Sequence, residues 1–421
     1  MKLRKLFNLT KRLGPGLITG AADDDPSGIA TYSQAGAQYG YGLLWSMVLT
    51  YPLMAGIQIV SARIGAVTGR GLAHNMRLNY PLAITFPLIL LLLIANTINI
   101  AADLAAMADA VKLVIGGPRH FYAVVIGLGC LLLQVFIPYQ RYLPILKWLT
   151  LSLFAYVGTV FASHVDWSQV MAETFLPHIN LRADYILLLV GLFGTTISPY
   201  LFFWQAGEEV EDIQASKSRK SLIEAPEQAV NQLKRIKWDT IIGMGFSNII
   251  AFFIILTTAA TLFPAGVHDI QTSAEAAAAL RPIAGEFAFL LFAIGILGTG
   301  LLAIPVLAGS AAYAIAELIH KPASLSLKPA AAKHFYAIIS IATLLGVALV
   351  FSGIDPIKAL LWSAVINGVV AVPIMITLMH MASKTSIMGT FVAGRKTKVL
   401  GWMATALMAV AAITLIWVYI R

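Results

Sequence analysis

Residues 22–28 read ADDDPSG: three consecutive aspartates, then Pro-Ser-Gly. They interrupt a segment that is otherwise almost free of charge, 12–45, RLGPGLITGAADDDPSGIATYSQAGAQYGYGLLW. An ionisable side chain inside an apolar segment is expensive and marks a functional position by default. Proline removes a backbone donor and opens the preceding helical turn. The segment at about 13–39 is therefore expected to be a helix that breaks at Pro26.

The composition places that helix in a membrane. The 421-residue chain is 59% hydrophobic and 12% charged, where soluble domains are nearer half apolar and a quarter charged. A helix needs about 20 apolar residues to cross a bilayer. Such runs occur at 42–62, 82–112, 121–139, 143–163, 183–206, 238–263, 285–308, 334–353, 357–380 and 399–420. With 13–39 they make eleven spans in one membrane domain. The basic start MKLRKLFNLTKRLGPG leads into a stretch with Asp and Pro and no small-residue cleavage site, so it reads as retained. The lone Cys130, in an apolar run, reads as a small core residue.

The net charge of +9 does not call for a nucleic-acid partner, because the cations are distributed by topology. With the N-terminus inside, only Lys112, Arg119, Arg182, Arg281, Lys358 and Arg421 of the 29 Lys and Arg fall on the outer side, leaving 23 inside. This bias sets the orientation: a multi-pass protein of the cell (plasma or inner) membrane, N-terminus cytoplasmic and C-terminus outside. The longest polar connection, 207–237, is expected to hold a short amphipathic helix between spans six and seven. Membrane lipid is the generic partner of its basic residues, and a monomer or loose oligomer is expected.

A second span carries a break. Residues 185–207 read YILLLVGLFGTTISPYLFFWQAG, with Pro199 after a run of small and hydroxyl residues. Backbone that leaves the helix at membrane depth survives only where it faces protein or a wet cavity. Spans one and six occupy matching positions in two sets of five, the pattern of an inverted-repeat transporter with its site at mid-membrane. The repeats are expected at about 13–163 and 183–382, followed by an extra helix at 399–420.

Asp23, Asp24, Asp25 and Asp103 are the intramembrane carboxylates. Consecutive helical residues turn by about 100°, so three aspartates cannot share one helix face unless the helix unwinds. Either a hard cation or a shared proton answers their repulsion. The second break supplies Thr195, Thr196, Ser198 and Tyr200, and carbonyls freed by Pro199. An oxygen-only donor set suits Mg²⁺, Mn²⁺ or Ca²⁺ over soft metals. No two of the eight histidines pair at i, i+4, and no nucleotide loop or nucleophile constellation is present, so neither an enzyme nor an ATP-driven pump is expected on this chain.

These stretches resemble the Nramp family of divalent-metal transporters, which have a LeuT-type fold. The likeness rests on GPG…DPSG…GAQYGYGLLW in span one, SARIGAVTGRGLA in span two, AADLAAMADAV in span three and GTTISPY in span six, over about 13–210. The resemblance implies that the metal-binding Asp is Asp25 and that the carbonyl ligands are those of Ala22 and Thr195. The family's Asn ligand falls on Gly28, its Met on Ser198 and its proton-route His on Tyr200. In span three its Asp falls on Asp103 and its Glu on Ala106. Asp24 and Asp23 stand where the family has uncharged side chains. Sulfur and Asn are thus lost while carboxylates are gained, which resembles the Nramp-related magnesium transporters.

The resulting expectation is an all-α, LeuT-type 5+5 bundle plus an eleventh helix, with helices one and six discontinuous. It imports a divalent cation, Mg²⁺ or Mn²⁺, as substrate, without a resident cofactor and with weak or altered proton coupling. The metal set is Asp25, Asp24, Ala22, Thr195 and Ser198. Asp23, Gly28, Tyr200 and Asn367 are expected to line the surround, and Asp103 a proton route. Asn367 and Ser363 in span ten, and Asn96, Thr97 and Asn99 in span three, either face the site or tie helices together. Glu208 and Glu209 read as a solvated helix end near Lys and Arg, with an inner gate as the alternative. A small organic cation or amino-acid-like solute is the alternative substrate.

Overall fold

The computed structural model describes residues 15–137, 150–216 and 218–420. The inner connections expected at 1–12 and 140–147, Lys217 and Arg421 fall outside that set. Everything described is helix, turn or loop.

The first span is two helices, α1 (Pro15–Asp23) and α2 (Pro26–Tyr39). Asp25 caps α2: it is extended (φ −72°, ψ 170°), Pro26 follows as the first helical residue, and the Asp25 carboxylate accepts the Gly28 N–H. Proline at that position loses no hydrogen bond, because the first amides of a helix have no partner within it. Next come α3 (Leu44–Thr68), the short α4 (Leu72–Asn79), α5 (Leu82–Ile115) and α6 (Arg119–Phe136). α7 (Phe154–Ala162) is the described end of the fifth span, and α8 (Trp167–Phe175) lies in the connection after it.

The sixth span repeats the design of the first. α9 (Ala183–Thr196) stops, Ser198 takes an extended conformation, and α10 (Pro199–Ala215) restarts with proline first. The bundle is completed by α11 (Ala229–Thr261), the short α12 (Ser273–Ala278), α13 (Ala288–Leu318), α14 (Lys333–Leu349), α15 (Pro356–Ser383) and α16 (Arg395–Ile420).

Among the described residues, nine helical stretches are long and apolar enough to cross a membrane. One of them, Pro26–Thr68, is 43 residues long, about twice a crossing. It holds the second half of span one and all of span two, divided by the 3₁₀ turn Gly40–Leu43. With that division and the shorter apolar helix at Leu151–Ala162, the eleven expected spans are accounted for.

The 207–237 connection differs from expectation. Residues 207–215 belong to α10 and 229–237 to α11, so only 216–228 is left to connect them. Arg235 of α11 is the reason: its guanidinium pairs with Glu209 and, at 3.5 Å, with Asp212, both on α10. Cross-helix pairing keeps these polar turns helical beyond the apolar core.

The broken helices lie against continuous ones. α1 and α2 both pack on α11, α9 packs on α15, and α5 packs on α13, α14 and α15. The contacts are close enough to require glycine. A Cβ on Gly20 would stand 2.2 Å from the Gly243 carbonyl oxygen of α11, and one on Gly194 would stand 2.0 Å from the Ala364 carbonyl oxygen of α15.

Candidate functional site

The two breaks meet. Tyr200, in the first turn of α10, donates to the Ala22 carbonyl of α1 at 3.2 Å, and Thr195 of α9 donates to the Tyr32 hydroxyl of α2 at 2.6 Å. Ser198 turns its hydroxyl back on its own chain, toward the carbonyls of Gly194 (2.7 Å) and Thr195 (2.9 Å). Its lone pairs stay available, and Thr195 contributes a carbonyl that already accepts that proton. Ala22, Thr195, Ser198 and Tyr200 are all buried.

Four carboxylates converge on this junction, and all four are buried: Asp23 and Asp103 fully, Asp24 and Asp25 2% exposed. The described ion pairs involve none of them. Buried charge is tolerated only with a partner or a bound ion. Here the partners are neutral donors, and they sort the aspartates into two pairs.

Asn99 of α5 holds the first pair. Its side-chain amide lies 3.0 Å from Asp25 Oδ2 and 3.0 Å from Asp103 Oδ2. Asn99 and Asp103 are four residues apart, hence neighbours on one helix face. Asn367 of α15 donates to Asn99 Oδ1 at 2.9 Å and fixes the amide from behind. The other Asp25 oxygen accepts the Ser27 hydroxyl at 2.6 Å and the Gly28 N–H at 2.7 Å. Asp25 thus joins the helix break, α5 and, through Asn99, α15.

Ser247 of α11 holds the second pair, 2.6 Å from Asp23 Oδ2 and 3.0 Å from Asp24 Oδ1. A hydroxyl carries one proton, so it serves one of these carboxylates at a time. Asp23 Oδ1 and Asp103 Oδ1 are buried without a hydrogen-bond partner. Each pair therefore holds one fully buried carboxylate oxygen that no donor reaches.

The hydrogen bonds divide the four aspartates two and two. Asp24 turns to Asp23 and Ser247, and the partner of Asp25 across the break is Asp103. The reason is the angular one: residues at the end of α1 fan around its axis, and only Asp25 belongs to the next helix. Among the described residues, no three His, Cys, Asp or Glu side chains form a cluster able to hold a metal alone. A cation here would be completed by carbonyl, hydroxyl and amide oxygens, and by water.

Gly28 keeps room beside Asp25. A Cβ there would stand 3.1 Å from the Tyr32 ring and 3.5 Å from Asp25 Oδ1, so any larger side chain would enter the space in front of the carboxylate. Of the other span-three and span-ten polar residues, Asn96 ties α5 to α13 through Leu307 O (2.9 Å) and Ser310 Oγ (2.8 Å). Thr97 and Ser363 bond within their own helices.

Glu209 is not the solvated helix end expected of it. It is 1% exposed and paired with Arg235. Glu211, on the opposite face of α10, accepts from the Tyr313 hydroxyl, the Leu325 N–H and, at 2.7 Å, the Ser326 hydroxyl. This buried network ties α10 to α11, to α13 and to the 319–332 connection. Ser247, Tyr32 and Glu211 were not singled out from the sequence. Ser247 sits in GMGFSNII, where one hydroxyl in an apolar run carries no signal of its partner.

The sequence model of the family described as "Natural resistance-associated macrophage protein-like", Nramp, matches residues 16–418. A protein of Deinococcus radiodurans named divalent metal cation transporter MntH is 27% identical over 411 residues, covering 96% of this chain and 89% of its own. The crystal structure of the Eremococcus coleocola manganese transporter, in complex with an aromatic bis-isothiourea compound, superposes with a TM-score of 0.76 at 19% identity, covering 96% of this chain and 85% of that one. MhsT in complex with L-phenylalanine superposes with a TM-score of 0.59 at 14% identity, covering 96% and 97%. These likenesses give the fold: an all-α LeuT-type bundle with helices one and six discontinuous. The chain is a multi-pass membrane protein and belongs to the Nramp family.

Proposed function

We propose that this protein is a secondary transporter that carries a divalent cation, Mg²⁺ or Mn²⁺, into the cell by alternating access. The observation that supports it most is the set of four buried carboxylates at the crossing of two broken helices, with no cationic side chain paired to them among the described residues. Such a set needs a cation or protons to exist in an apolar interior. The donors are oxygen throughout, which favours hard ions. The related Deinococcus protein is named for divalent metal cations and the Eremococcus one for manganese, in keeping with this reading.

Asp25 is the direct ligand, joined by the Ala22 and Thr195 carbonyls and Ser198, and Asp24 meets the ion from the side of Ser247. Asp23, Gly28, Tyr200 and Asn367 shape the surround. The repeats, about 13–163 and 183–382, rock around the site within the plasma membrane, N-terminus cytoplasmic and C-terminus outside. Proton coupling is weak, because Tyr200 and Ala106 replace the titratable groups that the family resemblance implies there; Asp103 is the one carboxylate left on that route. A monomer or loose oligomer suffices.

Proteoliposomes loaded with a metal-sensitive dye and a pH dye test the reading. Uptake of Mn²⁺ or Mg²⁺ with little internal acidification is expected, and Asp25→Ala should abolish it. Unchanged uptake in that variant would sink the site assignment, and a stoichiometric pH change would refute weak coupling. The organic-solute alternative predicts thermal stabilisation by amines or amino acids and none by metals.

A further inference from the structure

We infer that a groove between α3, α11 and α16 binds one anionic diacyl phospholipid, its headgroup on a cluster of cations and one acyl chain along the apolar length. The groove encloses about 700 Å³, a volume typical of specific small-molecule sites. Its polarity is graded. At one end stand Arg63, Lys234, Lys237 and Lys396; toward the other the lining is Pro52, Ala55, Ile59, Ile241 and Leu400. Arg63 and Pro52 are eleven residues apart on α3, about 16 Å at the helical rise of 1.5 Å per residue. That is about half the thickness of a bilayer's hydrocarbon core, the depth of one leaflet.

The cations are arranged for an external anion. None of the four forms an ion pair among the described residues. Arg63 is anchored by donating to two backbone carbonyls, Phe391 O at 2.9 Å and Val392 O at 3.1 Å, which orient the guanidinium without neutralising it. Lys234, Lys237 and Lys396 are exposed. Trp238, 53% exposed, lies beside them with the Lys237 ammonium 5.9 Å from its ring. Tryptophan with lysine at a helix end is the signature of the headgroup level. All of this lies at the end of the bundle where the basic connections gather, next to the leaflet that is richest in anionic lipid if that end is cytoplasmic. A free phosphate would satisfy the cations and leave the apolar length empty; a phospholipid fills both.

Full-length protein in neutral maltoside detergent is titrated with phosphatidylglycerol, with phosphatidylcholine of the same chains, and with glycerol 3-phosphate, and bound molecules are counted by native mass spectrometry. One tightly held phosphatidylglycerol per chain is expected, with phosphatidylcholine weaker and glycerol 3-phosphate not retained. Lys234→Gln combined with Lys396→Gln should weaken phosphatidylglycerol about 30-fold, from about 1 kcal/mol for each lysine. Both positions are exposed, so folding is not at stake. Phosphatidylglycerol brominated on its acyl chains should quench tryptophan fluorescence, and Trp238→Phe should remove a resolvable part of that quenching. Equal affinity for the two lipids, unchanged affinity in the double variant, or retention of glycerol 3-phosphate as tight as that of the lipid would each overturn the assignment.

Discussion

Asn99 and Ser247 stand in equivalent relations to two pairs of aspartates, yet they bring different numbers of protons. The Asn99 amide has two N–H groups, so Asp25 and Asp103 can both be served at once. The Ser247 hydroxyl has one, so Asp23 and Asp24 compete for it. The first centre is further supported by the cap of α2 and by Asn367. The second is always one donor short. A fixed geometry suits direct coordination, whereas a pair that must borrow a proton or a cation suits the approach to it. One residue of chain separates Asp23 from Asp25, and the helix break is what lets them differ.

That contrast can be broken by experiment. Asp25→Asn keeps the shape of the cap and removes the charge, and should lower Mn²⁺ uptake by about 100-fold, the loss of a contact worth about 3 kcal/mol to a charged group. Asp23→Asn should cost about tenfold or less on the same scale; equal losses would erase the distinction between the centres. Asn99→Leu strips both carboxylates of their shared donor and should cut uptake about 30-fold, at about 2 kcal/mol. Ser247→Ala removes one proton from a pair already short of one and should cost about 1 kcal/mol, some fivefold in uptake. If Ser247→Ala proves the more damaging of the two, the roles assigned to the centres are reversed. Gly28→Asn would fill the space before Asp25 with an amide, and the uptake ratio of Mn²⁺ to Mg²⁺ should rise about two- to threefold, a shift of about 0.5 kcal/mol; an unchanged ratio would show that Gly28 does not set selectivity.

Much of this arrangement was legible in the chain. Pro26 and Pro199 announce both breaks, because each removes a donor and lies next to residues that can leave the helix. The apolar runs give the spans, since only helices satisfy their own backbone in lipid. Asp25 was legible twice, from its place beside a break and from the resemblance. The partners of the other aspartates were not. Hydroxyls on membrane helices commonly bond back to their own carbonyls, as Thr258 and Thr261 do on the same helix as Ser247. Nothing in the one-letter code separates Ser247 from them. The polar ends of α10 and α11 were read as a connection with a short helix of its own for a similar reason: Arg235 and Glu209 lie 26 positions apart, and their pairing is a fact of packing.

By itself the sequence determined the class of the molecule, the number of crossings, the two places where helices break, and the presence of carboxylate at one of them. These follow from local chemistry: hydrophobic length, proline, and the cost of charge in an apolar run. Which aspartate meets which donor was decided only by the tertiary structure. The packing of α5, α11 and α15 around the break selects Asn99 for Asp25 and Ser247 for Asp23 and Asp24. These three donor–aspartate pairs lie 74 to 224 residues apart. ADDDPSG is therefore divided by the break: Asp23 ends one helix, Asp24 lies between, and Asp25 caps the next.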